Sequence, residues 1–132
     1  MRVIIMGASR IGSLVADMLE KDNHEVIVID ISPDGFNRLS EGFKGQKIIG
    51  SGTDPGLLKK LNFTGKDGFM AATNSENANI AAVNMVKKTY GCQRVAKLVF
   101  DPFRAKAFKE VEKGIVCPTY DAAVHSTEAL TA

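Results

Sequence analysis

Cysteine is scarce: only Cys92 and Cys117 are present, far apart and with no histidine at ligand spacing. That excludes a disulfide framework and gives no sign of a zinc site, and both thiols are expected to be buried as small hydrophobes. Long apolar runs are missing too. No segment approaches the roughly 18 continuous apolar residues of a membrane span, so direct insertion is excluded and any membrane role must pass through a partner. Charge of one sign is not in excess: 17 Lys and Arg stand against 15 Asp and Glu, a formal net charge of +2. The basic pairs Lys59-Lys60 and Lys87-Lys88 are separated by acidic and apolar residues, so no nucleic-acid surface is expected. Linkers rich in Pro, Gly or Ser, low-complexity tracts and internal repeats are absent as well, and the four prolines fall at the boundaries of predicted elements. A first strand that begins directly after Met1, without the sections of a secretory signal, makes the cytoplasm the expected location.

What is present is an alternation. The 132 residues, 45% hydrophobic and 24% charged, suit one soluble domain over residues 1–132. Short β-branched runs at Val3 to Met6, Val26 to Ile29, Lys47 to Ile49, Gly68 to Ala72, Val95 to Phe100 and Ile115 to Cys117 read as strands. Segments with apolar residues at helical spacing separate them, such as Ile11, Leu14, Val15, Met18 and Leu19, or Ile80, Val83 and Val86. Near-continuous apolar strands joined by helical crossovers predict an α/β fold: a Rossmann-like, doubly wound parallel sheet of about six strands with helices on both faces.

The first strand runs straight into Gly7-Ala8-Ser9-Arg10-Ile11-Gly12, and a helix follows. In that setting Gly7 serves the tight turn and Gly12 the close helix packing, while free amides at the helix start and its dipole face a pyrophosphate. Ser9 stands where the fingerprint has its middle glycine; its hydroxyl is a candidate phosphate donor, and Arg10 beside it offers a guanidinium. Eighteen positions beyond Gly12, the second strand ends in Asp30, placed to accept both hydroxyls of an adenosine ribose. An acid there disfavours a 2′-phosphate by like-charge repulsion. The plainer alternative is a tight turn at Gly7 and Gly12, with Asp30 capping the helix after Ser32.

Three further segments follow in order. The third strand enters Gly50-Ser51-Gly52-Thr53-Asp54-Pro55, the fourth leads into Ala72-Thr73-Asn74-Ser75-Glu76-Asn77-Ala78-Asn79, and Ala96-Lys97 and Asp101-Pro102 mark the fifth strand and its exit. Together these resemble, almost from end to end, the N-terminal nucleotide-binding half of RCK domains, also called TrkA-N or KTN domains, which regulate potassium channels and transporters. The resemblance implies a bound adenine nucleotide, NAD(H) or ATP, ADP or AMP. It implies a site formed by Gly7, Ala8, Ser9, Arg10, Ile11, Gly12, Asp30 and Ile31, by Ser51, Gly52 and Thr53 beside the adenine, by Thr73, Asn74, Glu76 and Asn77 along the cleft, and by Lys97 facing the phosphates. Ser51 replaces the family's aspartate. A homo-oligomer built partly through the last helix from Asp121 onward, docked on the cytoplasmic face of a potassium channel or transporter, is the implied assembly. The family's usual second domain has no room after Ala132, so either a naturally short form or the N-terminal part of a longer subunit is expected.

No catalytic group stands out. His24 falls in a polar turn before the second strand and His125 in the last helix, each without a partner. A Tyr-x-x-x-Lys pair of the short-chain dehydrogenases is missing, because the residues four places after Tyr90 and Tyr120 are Arg94 and Val124. A non-enzymatic regulator is therefore expected. The alternatives are a truncated NAD-dependent oxidoreductase half and a structural interaction domain that binds nothing.

Overall fold

Residues 1–132 are all described by the computed structural model. Six strands, β1 (Arg2–Met6), β2 (Glu25–Asp30), β3 (Gln46–Ile49), β4 (Gly68–Ala71), β5 (Arg94–Leu98) and β6 (Ile115–Val116), form one parallel sheet in the order β3-β2-β1-β4-β5-β6. The register pairs Met6 with Ile29 and with Ala71, and Asp30 with Ile49, so the carboxyl ends of four strands lie along one edge. The chain leaves β1 toward β2 on one side and returns to β4 on the other. This switch point is where open α/β sheets bind ligands.

Side-chain alternation along the strands makes two core layers. On one face Ile4, Met6, Ile27, Ile29 and Phe69 pack with Leu58 of α2 (Pro55–Lys60) and Val83 and Val86 of α3 (Glu76–Tyr90). On the other, Val3, Ile5, Val26, Val28 and Met70 pack with Ala16 of α1 (Arg10–Lys21) and with Leu39. Each fully buried Val, Ile or Leu contributes about 1.5–3 kcal/mol, which is why both layers read as β-branched runs. Pro33, Pro55, Pro102 and Pro118 each open a helix, capped by Ser32, Asp54, Asp101 and Cys117. A missing N–H costs nothing at that position and the fixed φ suits it. The second crossover is only a 3₁₀ turn, Pro33–Arg38, rather than a full helix.

At the opposite edge Arg2 grips Asp67 with both Nη2 (2.7 Å) and Nε (3.3 Å) and also donates to the carbonyls of Leu61 and Asn62. Burial disfavours the Asp67 carboxylate, but the Arg2 hydrogen bonds and the Thr64 amide outweigh it and hold the carboxyl below its usual range. Cys92 and Cys117 are buried, as expected. His24 is half-buried rather than freely solvated, with Nδ1 lacking a partner.

After β6, α5 (Pro118–Thr131) departs from the body of the fold. None of its residues is buried, and every position from Ala122 onward is exposed. Lys109 of α4 (Pro102–Val111) pairs with Asp121 and lies 4.6 Å over the Tyr120 ring, which ties down the first turn. The helix therefore does not cover the sheet edge as a sixth crossover would. No helix is long and apolar enough to cross a membrane.

Candidate nucleotide cleft

The loop after β1 is fixed by its glycines. Gly7 has φ +106°, and a β-carbon there would stand 2.7 Å from the carbonyl carbon of Ala72. A β-carbon on Gly12 would collide with the carbonyl oxygen of Gly7, so only glycine lets α1 start this close to β1. The Gly7 amide donates to Ile29 O (2.7 Å), and the Ala72 amide donates to Met6 O (2.7 Å). Ser9 caps α1: its Oγ accepts from the Gly12 amide (3.1 Å) and donates to Ala72 O (2.6 Å). The hydroxyl has one proton, and Ala72 takes it. The expectation that Ser9 donates to a phosphate oxygen is thus corrected. What remains open are the amides of Ser9, Arg10 and Ile11, which find no acceptor within the chain. The first turn of α1 carries no acid and bears the exposed Arg10, which forms no ion pair. A cation at a helix start is unfavourable unless an anion joins it.

Asp30 organises the opposite wall. Its Oδ2 accepts from the Ala8 amide (2.7 Å) and its Oδ1 from the Ser32 amide (2.9 Å). Asp30 therefore orders the glycine loop after β1 and the start of the 3₁₀ turn at once, while Ser32 rather than Asp30 caps that turn. Each carboxylate oxygen keeps a further lone pair. Gly35 is buried against the loop: a β-carbon there would lie 3.0 Å from Ala8 Cβ and 3.1 Å from Asp30 Oδ2. Arg38 Nη1 donates to Ala8 O at 3.1 Å. From β3, the Gly50 amide donates to Asp30 O (2.9 Å), and Ser51 Oγ meets Thr53 Oγ1 at 2.7 Å. Gly52 is buried against Met6, where a side chain would clash.

The third wall is the exit of β4. Asn79, fully buried, accepts from Thr73 N (3.0 Å) and Thr73 Oγ1 (2.7 Å) and donates to the carbonyls of Thr73 (3.0 Å) and Leu98 (3.1 Å). All four of its amide hydrogen-bonding positions are used, so the Thr73–Ser75 loop is rigidly floored. Between these walls lies a cleft of about 530 Å³.

The structure brings Gly7, Ala8, Ser9, Asp30, Ile31, Ser51, Gly52, Thr53, Thr73 and Asn74 into that lining. Arg10, Ile11 and Gly12 are not part of that lining: Arg10 is exposed, Ile11 is half-buried and Gly12 is buried against Gly7. Three expected residues lie elsewhere. Lys97 is buried, its Nζ 3.3 Å from both Glu112 oxygens and 4.7 Å over the Phe108 ring. An ammonium without water requires a counter-charge, and Glu112 supplies it. Burial opposes ionisation of Glu112, but Lys87 and Lys97 together hold its carboxyl low. Glu76 turns away from the cleft to accept from the Phe100 amide (2.8 Å) and pair with Arg104 of α4. Asn77 is exposed on α3 outside the lining. In exchange the cleft gains residues that sequence reasoning missed, among them Ser32, Asp34, Gly35, Arg38 and Ser75. Only their nearness to Asp30 or Thr73 in the sequence hinted at them.

A glycine loop at the switch point of a parallel sheet, with an acid closing β2, defines the Rossmann class of nucleotide-binding folds. Within that class the chain belongs to the TrkA-N domain family, which matches residues 3–117. It is 34% identical over 111 residues to the Trk system potassium uptake protein TrkA of Streptomyces coelicolor (84% of this chain, 50% of that protein). It is 37% identical over 113 residues to a Trk system potassium uptake protein TrkA homolog of Pyrococcus abyssi (86% and 50%). The chain thus spans about half the length of the curated relatives it matches. Among solved structures, the TrkA-N domain of the inner membrane protein ybaL of Escherichia coli superposes with TM-score 0.79 at 14% identity, covering 98% of this chain and 96% of that one. The Kef CTD of Shewanella denitrificans in AMP-bound form gives 0.73 at 20% identity (99% and 80%). The GsuK channel bound to NAD gives 0.69 at 21% identity (89% and 21%).

Proposed function

We propose that this chain binds an adenine nucleotide, NAD(H) or ATP, ADP or AMP, and is the single nucleotide-sensing regulatory domain of a potassium uptake system or channel. The observation that carries this reading is the run of three unengaged amides, Ser9 to Ile11, at the start of α1, where Ser9 lines a cleft that also holds Asp30. The amides and helix dipole would hold phosphate, the free lone pairs of Asp30 would accept ribose hydroxyls, and Ile31 with Ser51 to Thr53 would flank the base. The AMP and NAD in the related Kef and GsuK structures support a nucleotide without deciding which. The names of the relatives, potassium uptake proteins of a Trk system, support the transport partner.

A nucleotide in a domain without catalytic groups acts by favouring one arrangement over another. The uncovered α5, with Ala122, Val124 and Leu130 exposed, supports a homo-oligomer formed through it. That assembly would sit in the cytoplasm, against the inner face of the membrane through a transport subunit. Titration calorimetry with AMP, ADP, ATP, NAD and NADH tests the reading: at least one should bind saturably, and binding of none would overturn it in favour of a structural interaction domain. Oxidation of NADH by the protein would instead favour the oxidoreductase half.

A further inference from the structure

Arg38 closes the 3₁₀ turn and is the one cationic side chain in the cleft lining, which otherwise carries the acids Asp30 and Asp34. It forms no ion pair with either. One of its five donors is engaged, by Nη1 on the carbonyl of Ala8, and the others have no partner in the chain. That contact sets its position. The Ala8 carbonyl shares its peptide group with the open Ser9 amide and points the opposite way from that N–H, so the guanidinium is held on the carbonyl side of the peptide that begins the run of open amides. The buried Gly35 presses the same turn onto Ala8 and Asp30, which leaves the turn little room to shift. An unpaired, clamped cation among acids calls for an anionic occupant, because without it the lining would offer two carboxylates to any phosphate.

Resting on the nucleotide reading, we propose that Arg38 is a ligand contact that takes a phosphate oxygen of the bound nucleotide and makes affinity depend on phosphate charge. A charge-assisted hydrogen bond of this kind changes affinity by about tenfold or more. The test is calorimetric titration of the wild type, Arg38→Ala and Arg38→Gln with AMP, and by displacement with adenosine, after equal melting temperatures confirm folding. AMP should bind both variants about tenfold more weakly, while adenosine stays within about twofold. Unchanged AMP affinity would overturn the proposal. So would an equal loss for adenosine and AMP, which would reduce Arg38 to a brace for the Ala8 loop. A wild type that binds AMP no better than adenosine overturns the phosphate role yet leaves the nucleotide reading standing, whereas a wild type that binds no adenine compound overturns both.

Discussion

Single residues in this cleft serve two masters, and mutations there will report both. In the proposed reading Asp30 accepts from the ribose hydroxyls, and it also holds the amides of Ala8 and Ser32. Asp30→Ala should therefore weaken adenine-nucleotide binding by about 1–3 kcal/mol through lost charge-assisted bonds, and should also loosen the loop. Calorimetry gives the first effect and amide exchange at Ala8 and Ser32 the second; full affinity in a folded variant would take Asp30 out of the site. Ser9 is the reverse case. Its hydroxyl is spent on Gly12 N and Ala72 O, so Ser9→Ala should cost about 0.5–2 kcal/mol of stability as a lost cap, with the ranking of NADH, ATP, ADP and AMP unchanged. A reordered ranking would show that the hydroxyl reaches the ligand after all.

At the scale of elements, the loop after β4 owes its shape to one side chain on α3. Replacing Asn79 by Ala strips partners from Thr73 and from the Leu98 carbonyl, at about 1–3 kcal/mol for each buried group left unpaired. Urea unfolding should show this, and a loss within about 0.5 kcal/mol, the range of surface changes, would deny the web a structural role. The same scale explains what could be read in advance. The strands and the glycine loop after β1 were legible because buried β-branched runs and a glycine turn are local signals, and the position of Asp30 at the end of β2 followed from spacing. Ser9 was misread because its partner Ala72 lies 63 positions away. Lys97 and Glu76 were misplaced because α4 and the residue that ends it decide their surroundings, through Phe108 and the C-cap Glu112 for one and Arg104 for the other. Arg38 went unnoticed because a 3₁₀ turn has no periodicity that would aim its last residue at the loop.

The whole molecule should be acid-sensitive in a defined sense. Asp67 and Glu112 both have folded-state carboxyls held below their usual range. The stability they contribute is present above the ordinary carboxylate value, about pH 4, and is lost as pH falls through the depressed folded values. Asp67→Asn should be less stable near neutrality and lose less stability on acidification, as urea midpoints at stepped pH would show. A variant that retains the full acid slope would shift the cause to other carboxylates.

The exposed α5 has a thermodynamic consequence. Its order is imposed at one end only, where Asp121 meets Lys109 and the Cys117 amide, and a helix of 14 residues is marginal in water without tertiary support. Helicity should decline from Pro118 toward Ala132, with amide protons near the end exchanging almost freely. Any surface that came to cover this helix would also have to freeze it, so contact and folding would become one event. Part of the association energy would then be consumed in ordering backbone, and a complex formed this way would be weaker and easier to release.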